Sequence, residues 1–354
     1  MKKFLKKIVP PKFVKNIRAI NNSVDQAIIP FFASHRILSS IYYLLFSRQF
    51  SREQQAVLKG RVAYGKSLYK IGKSSVLLRR NTHRLEKGLI MKPRREVFAL
   101  AYIDETVDCY IECVKAGTLC DEELQWASDV LLKYFSVIKL SEHTQQLKAA
   151  FEQCRPSFSL NRQFTPYDEV SRPELSCDPE QLKQLFIRRR SVRWFEDKPV
   201  AKELINKALE MASLAPSACN RQPYQFYLLK DVDAIHIAKL AMGTAGFAEN
   251  IQNLFVIVGD LSAYPAERDK HVIYIDGSLA AMQLMLGFES LGISTCPINW
   301  PDIEFREAKM SQKLDLKAHQ RPIMLLAFGY AEPDGKIPFS QKKLPEQLLK
   351  EVKL

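Results

Sequence analysis

Between Ile187 and Phe195 the chain reads Ile-Arg-Arg-Arg-Ser-Val-Arg-Trp-Phe, which places four arginines and a serine within six residues. Guanidinium groups match phosphate oxygens in a bidentate fashion, and a serine hydroxyl adds a further donor. A charge run is usually a solvated face. Here Val192, Trp194 and Phe195 interleave with the charges, which anchors the chain and aims the arginines. A second segment, Leu214 to Tyr224, reads Leu-Ala-Pro-Ser-Ala-Cys-Asn-Arg-Gln-Pro-Tyr and ends a helix marked by Leu204, Ile205, Ala208, Leu209 and Ala212. Its two prolines and small residues make a tight turn, from which Ser217, Asn220 and Gln222 present short polar groups to a planar ligand. A plain helix stop would account for the prolines by themselves. A third segment, Leu291 to Trp300, opens on Gly292 as a helix C-cap and leads through a short strand into Pro297, Ile298 and Asn299, where an exposed backbone N–H can donate to a ring nitrogen. The fourth, Phe339 to Pro345, holds the basic pair Lys342 and Lys343 before a turn; alone it reads as a solvated face.

These segments need elements to hold them. After Asp178 helix signals alternate with short apolar strands at Gln225–Leu229, Leu254–Val258 and Ile323–Phe328, and the run Tyr274–Leu291 is apolar on nearly every face. A helix apolar all round is a buried one, and strands spaced by helices around it predict a layered α+β fold. Residues 1–154 read as a mostly helical region, with apolar residues returning every three to four positions in Arg52–Leu68, Val97–Val114 and Glu122–Leu140. The segment 155–180 carries four prolines and little periodicity, as a domain boundary or a crossing arm does. Residues 181–354 form the third part.

In their order and spacing the four segments resemble the nitroreductase superfamily over roughly residues 181–350. The most specific pieces are the R-R-S-x-R-x-F form at Arg189–Phe195 and the P-S-x-x-N-x-Q-P form at Pro216–Pro223. The resemblance implies an FMN-dependent NAD(P)H oxidoreductase acting as a homodimer. It implies that Arg189, Arg190, Ser191 and Arg193 hold the FMN phosphate, ribityl chain and ring edge. It assigns Pro216, Ser217, Ala218 and Asn220 to a loop that lies against the partner subunit's flavin. Pro297, Ile298 and Asn299 match the strand end beside the ring, with the Asn299 N–H reaching the hydride-accepting nitrogen, and Lys343 matches a second phosphate-binding base. Two departures stand out. Asn299-Trp300 replaces a frequent Glu-Gly, so that Trp300 is expected to narrow the substrate side, and Gln341 replaces a common basic residue. The chemistry in such proteins is carried by the flavin, with no protein nucleophile and no metal. Nitro compounds and quinones are its generic acceptors and often surrogates for another small molecule.

Composition bounds the remainder. The net charge is +13, yet residues 1–100 hold 22 Lys and Arg against four acids, a net of +18, and the rest of the chain is at −5. That asymmetry suits an anionic partner for the N-terminal region, a membrane surface, a nucleic acid or an acidic substrate, or else a lysine-rich solvated face. No zinc pattern or nucleic-acid signature accompanies it. Seven cysteines at irregular spacing, without a C-x-x-C, speak for a reducing cytoplasm and for buried thiols at Cys109 and Cys113. Met1–Phe13 has the look of a signal n-region, but Pro10, Pro11, Lys12, Lys15 and Arg18 interrupt any apolar continuation. Ala27–Phe46 is the most apolar stretch, and Pro30, His35 and Arg36 make it a poor span; it fits a core helix or one lying flat on a membrane. His83–Leu89, with Arg79, Arg80, Arg94 and Arg95 close by, is either an exposed helix with a His83–Glu86 pair or a docking surface. The leading function is thus an oxidoreductase; the other is a flavin-containing scaffold attached through its basic region.

Overall fold

The structure is a computed structural model that describes residues 25–67, 71–158 and 163–353. The apparent n-region at Met1–Phe13 and the end of the Arg52–Leu68 helix fall outside them. Two compact units are present, Met1–Gln55 and Ala56–Leu354.

In the first unit residues 25–33 are helical, followed by α1 (Arg36–Tyr42) and a π-helical turn at Tyr43–Ser47. His35 caps α1 by accepting the Ile37 N–H at 3.2 Å. The Ser39 hydroxyl donates back to the Phe32 carbonyl at 2.9 Å, and the Tyr42 hydroxyl bonds Asp25. Six rings, from Phe31 to Phe50, contact one another in a chain. The apolar stretch Ala27–Phe46 is therefore a helical hairpin and not a core helix: no residue from 25 to 50 is buried.

The second unit takes up most of α2 (Ser51–Ser67) and then four helices, α3 (Val76–Leu89), α4 (Ile103–Ala116), α5 (Asp121–Val137) and α6 (Glu142–Cys154). Their ends follow local chemistry. Ser75 caps α3, Ser141 and Thr144 form a capping box on α6, and three acids occupy the first turn of α5, where the helix dipole favours them. α4 begins six residues later than the apolar spacing of Val97–Val114 predicts, because Ala99 adopts φ +65° and breaks the helical path. These helices close around Leu78, Leu85, Tyr110, Tyr134 and Phe151, and Cys109 and Cys113 are buried thiols among them. Helices α3 to α6 lie in the same compact unit, Ala56–Leu354, as the elements that follow the 155–180 segment.

Past a largely exposed stretch with one 3-10 turn (Glu169–Ser171), α7 (Pro179–Arg188) starts on an Asp178–Gln181 capping box with proline in its first turn. The remaining elements are α8 (Lys202–Ser213), β1 (Tyr224–Lys230), α9 (Asp231–Ala238), β2 (Asn253–Asp260), α10 (Val272–Ser290), β3 (Ser294–Asn299), α11 (Glu304–Leu314) and β4 (Gln320–Gly329). The strands form one antiparallel sheet in the order β1-β2-β4-β3. Pro322, inside a central strand, stands at the bulge between Ile257 and Val258, where a missing N–H is tolerated. Alternate residues of β2 and β4 enter different cores, as strand geometry requires. Phe255, Ile257, Leu326 and Phe328 pack with α8 and α10, whereas Leu254, Val256, Leu325 and Ala327 pack with α9 and α11. This is the layered α+β arrangement that the sequence predicts, with α10 as its buried central helix.

Close packing of α2 on the residues after β2 gives a test of this description. A Cβ at Gly60 would fall 2.7 Å from the Leu261 carbonyl oxygen, whereas nothing lies within 4 Å of one at Gly65. Gly60→Ala is expected to destabilise the protein by about 1–3 kcal/mol through overpacking. Gly65→Ala is expected to stabilise it by up to about 1 kcal/mol through helix propensity. Urea unfolding of both variants, read as shifts of the midpoint in opposite directions, checks the pair.

Candidate functional site

The arginine segment leaves α7 at Arg189, whose N–H still closes on the Leu185 carbonyl at 3.0 Å. From there it runs extended along the start of β3: Ser191 bridges Thr295 in parallel, and the Val192 N–H donates to the Thr295 carbonyl at 3.0 Å. Asn250 grips Phe195 from both sides, accepting its N–H at 2.6 Å and donating to its carbonyl at 3.0 Å. Glu196 and Tyr330, then Glu332 and Trp194, continue the pairing past the end of β4. Val192 and Phe195 are buried, so the segment is anchored as its interleaved apolar residues imply. Arg189, Arg190, Ser191 and Arg193 are half-buried between these anchors. Arg193 lies over the Phe247 ring at 5.7 Å and donates to the Ser191 carbonyl.

Two features of the surroundings bear on what this segment holds. The Thr295 hydroxyl, on the residue that bridges Ser191, is buried without a hydrogen-bond partner. Behind the segment, Glu289 near the end of α10 is buried and pairs with Arg188 at 3.0 Å. Burial pushes the Glu289 carboxyl above its usual range against the opposing pull of Arg188 and Arg189. Burial likewise raises the Cys296 thiol on β3, opposed by Arg193 and Arg189, which places both guanidinium groups within electrostatic reach of the strand. Pro297, Ile298 and Asn299 form the second half of β3, an edge strand of the sheet, with Asn299 exposed at its end.

Trp300 departs from expectation. Its ring is buried in the core shared with α11, and its indole N–H donates to Glu307, itself paired with Arg321. A side chain committed in this way does not narrow an open site. Lys343 stands exposed in the tail after β4.

The Pro216–Asn220 loop is built differently. Cys219, Asn220 and Gln222 all adopt left-handed φ values, of 54°, 51° and 48°, which cost non-glycine residues about 1–3 kcal/mol each and persist only when the surroundings enforce them. The enforcement is visible. The Ala218 N–H donates to Asp276 on α10 at 3.0 Å, and the Gln222 N–H donates to the Ser217 hydroxyl at 3.1 Å. From α3, Arg79 donates to the Asn220 carbonyl at 2.8 Å and to the Gln222 side chain at 3.0 Å, while its third nitrogen pairs with buried Glu123 at 2.9 Å. Ser217 and Gln222, expected to face a ligand, are thus engaged in closing the loop. A cavity of about 550 Å³ lies beside it, lined by Ser74, Arg79, Ser213, Arg221, Gln222 and Tyr224 among others.

Asp276 and Glu289 went unnoticed in the sequence, although an acid within a helix apolar all round is a buried charge that must have a partner. They lie thirteen residues apart on α10, about 20 Å along its axis. The arginine segment and the loop therefore attach to opposite ends of one helix. Three other basic residues of α3 are engaged locally. Arg80 donates to the Tyr64 hydroxyl, Arg84 stacks 3.6 Å from the Tyr102 ring centroid, and His83 lies 3.4 Å from Glu86. Among the described basic residues of α3, Arg79 is the one that reaches the loop, so part of the cluster docks on the elements of the sheet and part does not.

The chain matches the model of the Nitroreductase family over residues 187–256 and 238–330. An Archaeoglobus fulgidus protein with the provisional name NADH dehydrogenase/NAD(P)H nitroreductase is 30% identical over 160 residues, spanning 44% of this chain and 88% of its own. Human iodotyrosine deiodinase 1 is 24% identical over 223 residues, 53% of this chain and 75% of that one. Among solved structures, an FMN-dependent nitroreductase from Clostridium difficile superposes with a TM-score of 0.41 at 22% identity, covering 48% of this chain and 98% of the other.

Removal of Arg79 leaves Glu123 buried without a counter-charge, held by the Ser74 hydroxyl and the Ser75 N–H. Arg79→Ala is expected to lower stability by about 3 kcal/mol and to raise amide exchange at residues 217–222 before any other part of the sheet unit. Asp276 gives a pH test. Burial raises its carboxyl above the usual range, opposed by the Ala218 N–H and Arg221. A raised folded value means that the stability it contributes is full below about pH 3.9, the ordinary aspartate value, and is lost as pH rises through the folded one. Asp276→Asn, which still accepts the Ala218 N–H, is expected to melt higher than the parent at pH 7, with the gap narrowing toward pH 3.5.

Proposed function

The chain belongs to the nitroreductase family, and we propose that it is an FMN-dependent oxidoreductase that passes hydride from NAD(P)H to an organic acceptor as a homodimer with two sites. The observation that carries this reading is the arginine–serine segment, fixed against β3 by main-chain bonds and buried anchors, with Arg189, Arg190, Ser191 and Arg193 left half-buried. The fit to FMN is chemical. The segment offers guanidinium groups and a hydroxyl to a phosphate, and the orphaned Thr295 hydroxyl beside Ser191 has hydrogen-bonding capacity left for a polar ligand. Arg189, Arg190, Ser191 and Arg193 would hold the phosphate and ribityl end, with Lys343 as a second base. Pro297, Ile298 and the Asn299 N–H would flank the ring. When bound, the flavin supplies hydride acceptance and donation. The chain's own part is to hold that group, keep its orientation through β3, and shield it.

The placement of the loop supports the dimer. A single chain presents its arginine segment and its Pro216–Asn220 loop at opposite ends of α10, an arrangement in which a second copy would supply the other half of each site. The wall that Arg79 and Ser74 add to the cavity beside the loop supports a further part of the reading, that the N-terminal helices restrict which acceptor enters. Nitro compounds and quinones serve as surrogate acceptors.

Arg189→Ala is expected to weaken FMN binding ten- to a hundredfold, since a charge-assisted hydrogen bond is worth about 1.5–3 kcal/mol, with the melting curve of the FMN-free protein unchanged. Fluorescence titration of FMN checks it; equal affinity in parent and variant defeats the assignment. The broader reading fails if the purified protein takes up no flavin, or if bound flavin is not bleached anaerobically by NADH or NADPH. A chain that sediments as a monomer while fully loaded with FMN defeats the dimer.

A further inference from the structure

We propose that the helical hairpin of residues 25–50 docks on an anionic phospholipid surface. The hairpin displays what a soluble surface ordinarily conceals. Phe31, Leu44, Leu45 and Phe46 are 64%, 69%, 62% and 58% exposed, and Ile37 and Ile41 join them. Ile37, Ile41, Leu44 and Leu45 follow the i, i+4, i+7, i+8 spacing of one helix face. A groove of about 390 Å³ between the two arms is lined mainly by Ile29, Phe32, Tyr42, Tyr43 and Phe50 and is itself apolar.

The second arm is too short to cross a bilayer: residues 36–47 are twelve residues, about 18 Å of helix, against a hydrocarbon core of about 30 Å. Among the described residues the one helix long and apolar enough to do so is Glu267–Ser290, whose α10 portion is the central helix of the sheet unit. A short helical element with exposed aromatic and aliphatic groups lies in the interface, with its apolar side in the acyl boundary.

Charge selects the kind of surface. Residues 1–50 carry nine Lys and Arg against one acid, Asp25; two of the nine, Arg36 and Arg48, are exposed on the hairpin and seven precede it in the sequence. Basic residues close in sequence to an interfacial helix favour anionic headgroups. A second copy of this region would bring like charge to like charge. A nucleic acid would satisfy the bases and leave the apolar groups in water. An anionic bilayer satisfies both.

The experiment is co-sedimentation of the full chain with vesicles of phosphatidylcholine alone and of phosphatidylcholine with phosphatidylglycerol, at low and high salt, for the parent and for the double variant Leu44→Asp, Leu45→Asp. Both leucines are exposed, so the variant keeps its fold, which circular dichroism and melting verify. The expected result is binding to the anionic vesicles, weakened at least tenfold by 1 M salt and at least tenfold in the variant. The proposal is overturned if the parent stays in solution with both vesicle types, if neutral vesicles bind it equally well, or if the variant binds as the parent does. It is also overturned if the chain self-associates through this surface without lipid, in a manner that the variant abolishes, and leaves vesicles unbound.

Discussion

A nineteen-residue helix that is apolar on nearly every face has to be covered where it meets the core, and most of the C-terminal architecture answers to that constraint. α10 is covered by the sheet on one side and by α8 on another, while Ile275, Leu279 and Met282 stay exposed on a third. Its glycines set how close the cover comes: a Cβ at Gly277 would stand 2.4 Å from the Ile323 side chain, and one at Gly287 would stand 3.1 Å from the Met211 sulfur. The two acids of this helix are its exception. A carboxylate in such a place must find donors. Asp276 finds the Ala218 N–H and Glu289 finds Arg188, so the loop and the arginine segment are drawn to the helix by the same requirement. The candidate site is the outer surface of arrangements that the core itself demands.

The sequence was most legible where pattern and burial coincide. The apolar runs Gln225–Leu229, Leu254–Val258 and Ile323–Phe328 all lie within strands, which extend one to three residues further, because strand ends are fixed by pairing and not by hydropathy. The arginine segment was legible through Val192 and Phe195, whose burial is what orients the charges between them. Less visible were contacts distant in sequence. Nothing near Arg79 announces that it reaches Asn220, 141 positions away, and Trp300 is next to the expected ring-side residues yet turns into the core because Glu307, one helix later, offers it a buried acceptor. Ala99 shows the limit of periodicity: apolar spacing carries on through a residue whose backbone does not.

The charge of the N-terminal region also divides on inspection. Within the second unit Arg61 pairs with Glu267, Arg79 with Glu123, Arg80 with Tyr64, and Arg84 stacks on Tyr102. These guanidinium groups fasten helices to their neighbours, a task for which their planar fork and their tolerance of aromatic faces suit them better than lysine. A tally of +18 over residues 1–100 therefore mixes internal fasteners with bases that face outward. Sequence counts cannot separate the two, since both look alike until their acceptors are known.

The left-handed backbone at Cys219, Asn220 and Gln222 bears on how this chain can have been assembled and how it can be cut. Ordinary fusions join self-sufficient parts through a neutral connector, and either part survives alone. Here a conformation in the catalytic-looking part is enforced by a guanidinium from the preceding helices, which is in turn neutralised by a carboxylate further along them. The proline-rich stretch resembles a seam, but the mechanical joint lies elsewhere, across Arg79. The two parts are an integrated pair in which the added helices have become structural ligands of the loop, so shuffling either onto another scaffold requires that the arginine, its acid and the loop travel together.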